Sequence, residues 1–228
     1  MATLPEHVTP IDKQDEFVFS CHSGVSCFTE CCRELELSLS PYDVLRLKQA
    51  LGITSQQFLE QYSVVEFSED DLYPKVYLGM VDDQRVSCPF VTRQGCTVYN
   101  ARPGACRTYP LGRGAYRSSG TLKEVFVLVQ EPHCQGFSQK KPYTVQSWHD
   151  DQGINKYNRH NDALLPIFNS TFFNKGNRLT QEQAELFILA LYNIDQFKET
   201  YAEACGIFSD DHSETLPTIV RWLEKRLF

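Results

Sequence analysis

No window of the chain approaches the ~18 uninterrupted apolar residues that a membrane-spanning helix needs, and the most apolar stretch, near Leu186 to Tyr192, is short. A transmembrane segment is therefore not expected, and a membrane is not an expected partner. Positive charge is scarce as well: 22 Lys and Arg stand against 29 Asp and Glu, a formal net charge of -7. Such a surface repels nucleic-acid phosphates, so no nucleic-acid partner is expected. The opening residues, MATLPEHVTPIDKQDE, lack the basic cluster and the apolar run of a secretory signal. The expected compartment is the cytoplasm. A repeat of fixed period, a low-complexity tract, a CxxC pair and a glycine-rich loop after a clear strand are all missing, which speaks against array folds, zinc ribbons, thioredoxin-like redox motifs and nucleoside cofactor sites.

Cysteine is what the chain does have. Nine are present, eight of them at positions 21, 27, 31, 32, 88, 96, 106 and 134, and one, Cys205, far from the rest. In a reducing compartment structural disulfides do not persist, so metal or redox chemistry is the default reading. Cys21, Cys27, Cys31 and Cys32 lie within twelve residues among polar neighbours, where burial as small hydrophobes is a poor explanation. Vicinal Cys31 and Cys32 point to different sides of an extended backbone and so serve two metals, or two edges of a cluster, more readily than one tetrahedral site. Eight thiolates also carry more charge than one divalent ion neutralises. A polynuclear site and two four-sulfur sites are both electrostatically easier, and Arg102 and Arg107 beside Cys106 are placed to offset residual charge or donate to sulfur. Cys205, in the sequence AEACGIF, reads as core packing. His22 and His133 adjoin cysteines, but neighbouring side chains point apart, so both stay off the ligand set. His149 and His160 read as polar helix-face residues, and Tyr99 and Tyr109 as core aromatics.

At 228 residues and 42% hydrophobic composition the chain can fill a core without cross-links. Ser40, Pro41, Asp43 and Gly52 mark a helix with Val44, Leu45, Leu47 and Leu51 as its apolar stripe. Thr54 and Gln57 form a capping box for a second, with Phe58, Leu59 and Tyr62 inward. Strands are expected at 75–80 and 124–129, and loop over 87–107. Thr144 caps a helix whose middle Gly153 weakens, Thr180 caps another, and 214–227 offers a last one. The expected fold class is α+β and helix-dominated: a loop-rich, metal-organised part with little sheet over 1–142, covered by a helical extension over 143–228.

The cysteine-rich start ending in Cys31-Cys32, SPYDVLRL at 40–47, CPF at 88–90 and CTVYNARPGACRTYPLG at 96–112 together resemble the YkgJ-type cysteine-cluster family, zinc- or iron-chelating domains sometimes labelled iron-sulfur oxidoreductases. The resemblance covers about the first 135 residues. It implies eight metal ligands, Cys21, Cys27, Cys31, Cys32, Cys88, Cys96, Cys106 and Cys134, holding iron, as an iron-sulfur cluster or otherwise, or zinc. It implies no established reaction. Electron transfer or an iron-sulfur oxidoreductase is one alternative, and a protein lysine methyltransferase-like enzyme, by way of the related flagellin lysine methylases, is a lesser one.

Overall fold

The structure is a computed structural model and describes residues 4–207 and 212–228. In chain order it runs β1 (Val8–Pro10), β2 (Glu16–Val18), α1 (Pro41–Leu51), α2 (Ser55–Tyr62), β3 (Ser63–Glu66), β4 (Lys75–Leu78), β5 (Val91–Thr92) and β6 (Gly95–Cys96). Then follow α3 (Gly104–Thr108), β7 (Leu111–Ser118), β8 (Thr121–Val129), β9 (Pro142–Thr144), α4 (Val145–Gln152) and α5 (Asn155–Asp162). The chain closes with α6 (Leu165–Phe168), α7 (Thr171–Asn174), α8 (Gln181–Leu191), α9 (Ile194–Cys205) and α10 (His212–Leu227). The class is α+β with helices dominant and only small sheets. No helix among the described residues is long and apolar enough to cross a membrane.

Two compact units form, and the chain alternates between them: 1–35 with 80–156, and 36–79 with 157–228. The boundary expected between residues 142 and 143 falls within the first unit, where β9 pairs with β2 in the register Phe17↔Tyr143. That unit is built on the antiparallel sheet β1-β8-β7 and on a core of Phe17, Phe19, Leu111, Phe126, Trp148 and Ile154 with their neighbours. Phe19 is its hub, with ring centroids 5.6 Å from Tyr109, 5.2 Å from Phe137 and 5.5 Å from Trp148. The strand expected at 124–129 lies inside β8. Its partner β7 was not expected, because LGRGAYRS carries two glycines and few β-formers; eight registered pairs with β8 override that weak propensity.

Thr144 caps α4 as expected, but Gly153 ends the helix rather than weakening its middle. With φ 64 it takes the left-handed conformation that closes a helix, and α5 begins two residues on. The expected loop at 87–107 contains the short hairpin β5-β6 and most of α3.

The second unit gathers α1, α2, the β3-β4 hairpin and the last helices around Leu47, Phe58, Val76, Phe187, Phe197 and Leu223, each at most 1% exposed. Ser40 and Asp43 form the capping box of α1, Thr54 and Gln57 that of α2, and Thr180 and Gln183 that of α8; each cap contributes about 1 kcal/mol. Lys48 Nζ lies 2.7 Å from the Asp195 carboxylate, which also accepts from the Ser55 backbone N–H at 2.7 Å and so ties α1 and α2 to α9.

Candidate metal centre

All eight clustered cysteines belong to the first unit and Cys205 to the second. Cys21 is placed from β2 outward. After the β2-β9 pairing the chain continues with Phe19 N–H donating to Lys141 O at 3.2 Å and Ser20 N–H donating to Gly136 O at 3.1 Å. This brings the start of the first cysteine loop alongside residues 134–136. There the Gln135 N–H donates to Cys27 Sγ at 3.1 Å. Buried Val25 anchors the loop from below, and successive tight turns, Glu30 N–H to Cys27 O at 3.0 Å and Cys32 N–H to Thr29 O at 3.1 Å, carry it through the 3-10 turn Glu30–Cys32. Thr29 at φ 68 and Glu34 at φ 51 sit in the left-handed region. For β-branched Thr29 this is a conformation that costs about 1–3 kcal/mol and concentrates at functional sites.

The second loop is held by backbone too. Cys88 N–H donates to Cys32 O at 2.9 Å, and Glu34 N–H donates to Val86 O at 2.9 Å, around an antiparallel bridge between Arg33 and Ser87. The β5-β6 hairpin then turns the chain back so that Cys96 faces Val91, three residues after Cys88. Phe90 and Val98 bury their side chains and fix the hairpin, and Cys106 follows on α3.

Electrostatic neighbours join the two loops. The Cys21 thiol is pushed up to about 11 by loss of solvent around the sulfur and by Cys31, Cys27 and Cys134, against the lowering effect of Arg102. Cys32 stands by Cys31, Cys88 and Cys106; its hydrogen bond to Cys31 holds Cys32 high and Cys31 low. Burial raises Cys88, which also feels Cys96 and Cys31, and it raises Cys96 and Cys134. The raised thiols of Cys21, Cys32, Cys88, Cys96 and Cys134 hold their protons, and a metal that binds them must displace those protons. Among the described residues, no three His, Cys, Asp or Glu side chains form a ready coordination group. Convergence on an ion therefore takes side-chain rotation on these loops. Cys21, Cys31 and Cys106 are exposed and the other five half-buried, so that freedom exists.

The two arginines expected beside the cysteines differ. Arg102 is 8% exposed and lies within electrostatic reach of Cys21, Cys96 and Cys106. It donates to Tyr99 O at 2.7 Å and to the Gln152 side chain. Arg107 donates to three backbone carbonyls, Arg102 O at 3.1 Å, Gln152 O at 2.7 Å and Asn100 O at 2.5 Å, and so clamps the loop before α3 to the end of α4. Tyr99, expected in the core, is 55% exposed, with its ring face under the Arg102 guanidinium at 3.8 Å. Tyr109 does pack on the core, and its phenol, raised by burial and by Cys134, also borders the cysteines. His22 accepts from the Gly24 N–H at 3.1 Å, and His133 Nε2 lies 3.7 Å from Glu131. His149 and His160 are not on a solvated face; they are 5% and 8% exposed.

Sequence reasoning missed Glu131, Gln135 and Gln152. Glu131 adds negative charge near Cys31 and Tyr109 and its backbone carbonyl accepts from the Cys134 N–H at 2.9 Å; its place three residues before Cys134 was the available signal. Gln152 reaches Arg102 from fifty residues away, and no local pattern marks it. A model of the CxxCxxCC family, described as "Putative zinc- or iron-chelating domain", matches residues 20–160, a span holding all eight of these cysteines. No curated protein and no solved structure matches the chain.

Proposed function

From the fact that the chain belongs to the CxxCxxCC family, we propose that it is a metal-binding protein whose Cys21, Cys27, Cys31, Cys32, Cys88, Cys96, Cys106 and Cys134 coordinate iron or zinc. The observation that carries this reading is the segregation of these thiols. Eight cysteines scattered over more than a hundred residues are neighbours in one unit, while the ninth lies in the other. Thiolates are the donors that soft and borderline metals prefer, and eight of them exceed the four that one tetrahedral ion takes. More than one metal atom follows. Arg102 supplies positive charge beside Cys21, Cys96 and Cys106, and the Gln135 N–H supplies a donor to Cys27; both kinds of contact stabilise anionic sulfur.

Zinc in this setting orders the loops and changes no oxidation state. Iron, above all in an iron-sulfur cluster, gives electron transfer, and the exposure of Cys21, Cys31 and Cys106 favours that second reading because it leaves the sulfurs accessible to a redox partner. Elemental analysis with an absorption spectrum, on protein purified without oxygen, tests the proposal. Iron with sulfide and a broad band near ~400 nm supports the redox reading, and colourless protein with bound zinc supports the structural one. Metal-free protein that also refuses both ions on reconstitution would overturn the proposal. Cys205→Ala is the control and keeps the full metal content; loss of metal in that variant would break the assignment of the eight.

A further inference from the structure

The eight thiols are not one undivided cluster. We infer that they split into two four-thiolate centres, one of Cys21, Cys27, Cys31 and Cys134, the other of Cys32, Cys88, Cys96 and Cys106. This inference rests on the metal-binding reading above and specifies which sulfurs share an ion.

Backbone hydrogen bonds draw the division. Ser20 N–H to Gly136 O and Gln135 N–H to Cys27 Sγ fasten the segment after β2 to the segment after β8, which puts Cys21 and Cys27 with Cys134. Cys88 N–H to Cys32 O fastens the end of the first loop to the second, and the β5-β6 hairpin folds Cys96 back opposite Val91, three residues after Cys88 and within electrostatic reach of it. Apart from the hydrogen-bonded Cys31–Cys32 pair at the border, the electrostatic neighbours follow the same partition: Cys21 feels Cys31, Cys27 and Cys134, Cys32 feels Cys88 and Cys106 after Cys31, and Cys88 feels Cys96 before Cys31. Cys31 is the shared border, near Cys21 and Cys88 alike. Because Cys32 is tied by backbone to Cys88, the vicinal Cys31 is left to complete the first set.

Each set has compensation within reach. The first holds the Gln135 N–H and the Tyr109 phenol, and Arg102 lies beside Cys96 and Cys106 of the second while also reaching Cys21 of the first. On binding a divalent ion, each centre exchanges four S–H bonds for four S–metal bonds and releases four protons to solvent, with no change of oxidation state. The resulting dianion is one that Arg102 is placed to offset in the second centre.

Titration of the metal-free full chain with Co²⁺ tests the division. Expected are about two cobalt equivalents per chain, each with four sulfur neighbours at about 2.3 Å by X-ray absorption. The electron paramagnetic resonance signal should grow in proportion to cobalt, because no thiolate bridges the two ions. In Cys134→Ser and in Cys96→Ser, uptake should fall to half, and in the double variant to nearly nothing. A spin-coupled pair, or single variants that each abolish all uptake, would overturn the division and leave metal binding standing. Wild-type protein that binds no cobalt would overturn both. The wild-type sulfur count and spin coupling decide the matter even where a variant fails to fold.

Discussion

His149 shows how one buried side chain acquires a pH dependence. It is 5% exposed, packs edge-on to Phe126 at 5.6 Å, and its Nε2 has no hydrogen-bond partner among the described residues. Burial lowers its pKa, Arg113 lowers it further, and Glu124 and Asp150 oppose this only in part. The unfolded chain therefore binds a proton more readily than the folded one. Stability is full above the unfolded value of about 6.5 and declines as pH falls below it. His149→Phe should abolish that decline between about pH 6.5 and 5, measured as the thermal midpoint of the first unit; an unchanged slope would place the titration elsewhere. At this scale much was legible in the sequence. The eight cysteines and their isolation from Cys205 could be read directly, as could Arg102, while the burial of His149 could not, because WHDDQ looks like a solvated helix end until Trp148 and His149 are seen to face the sheet.

At the scale of elements, the join between the first cysteine loop and residues 134–136 is the most sensitive point. Gly136 is needed there: a Cβ would lie 2.4 Å from the Phe19 ring, the hub of the core, and the same glycine's carbonyl accepts from Ser20. Gly136→Ala should cost about 1–3 kcal/mol by overpacking and should also weaken metal uptake. An overpacked position outside the join, Gly112→Ala on β7 against Val127 of β8, should cost stability and leave uptake unchanged. Equal uptake in both variants would show that the join does not position the thiols. Helices were the most legible elements, because Ser40, Thr54, Thr144 and Thr180 announce themselves through hydrogen bonds made within three residues. Strands β7 and β9 were not, since their stability comes from partners far along the chain rather than from their own composition.

For the whole molecule, the two units separate two kinds of stability. The second has its own packed core and most of the long helices; the first is rich in loops around the cysteines. Chelation should therefore unfold or loosen the first unit and leave more than about half of the far-ultraviolet helical signal in place. Melting that is the same with and without chelator would remove any structural role for the metal. That α1 and α2 pack with α9 was invisible in sequence, where they lie between two cysteine loops and read as part of that region. The Lys48 to Asp195 contact spans 147 residues, and no local pattern predicts it.

The alternation of the chain between units also sets an order of events during synthesis. A ribosome delivers Cys21 to Cys32 first, then the helices of the other unit, then Cys88 to Cys106, and last Cys134, which lies more than a hundred residues after Cys32. At about 5–20 residues per second, the earliest thiols wait some seconds, bare, before their last partner emerges. On the proposed metal-binding reading, loading of the complete eight-thiol site is thus a late step in the life of the nascent chain.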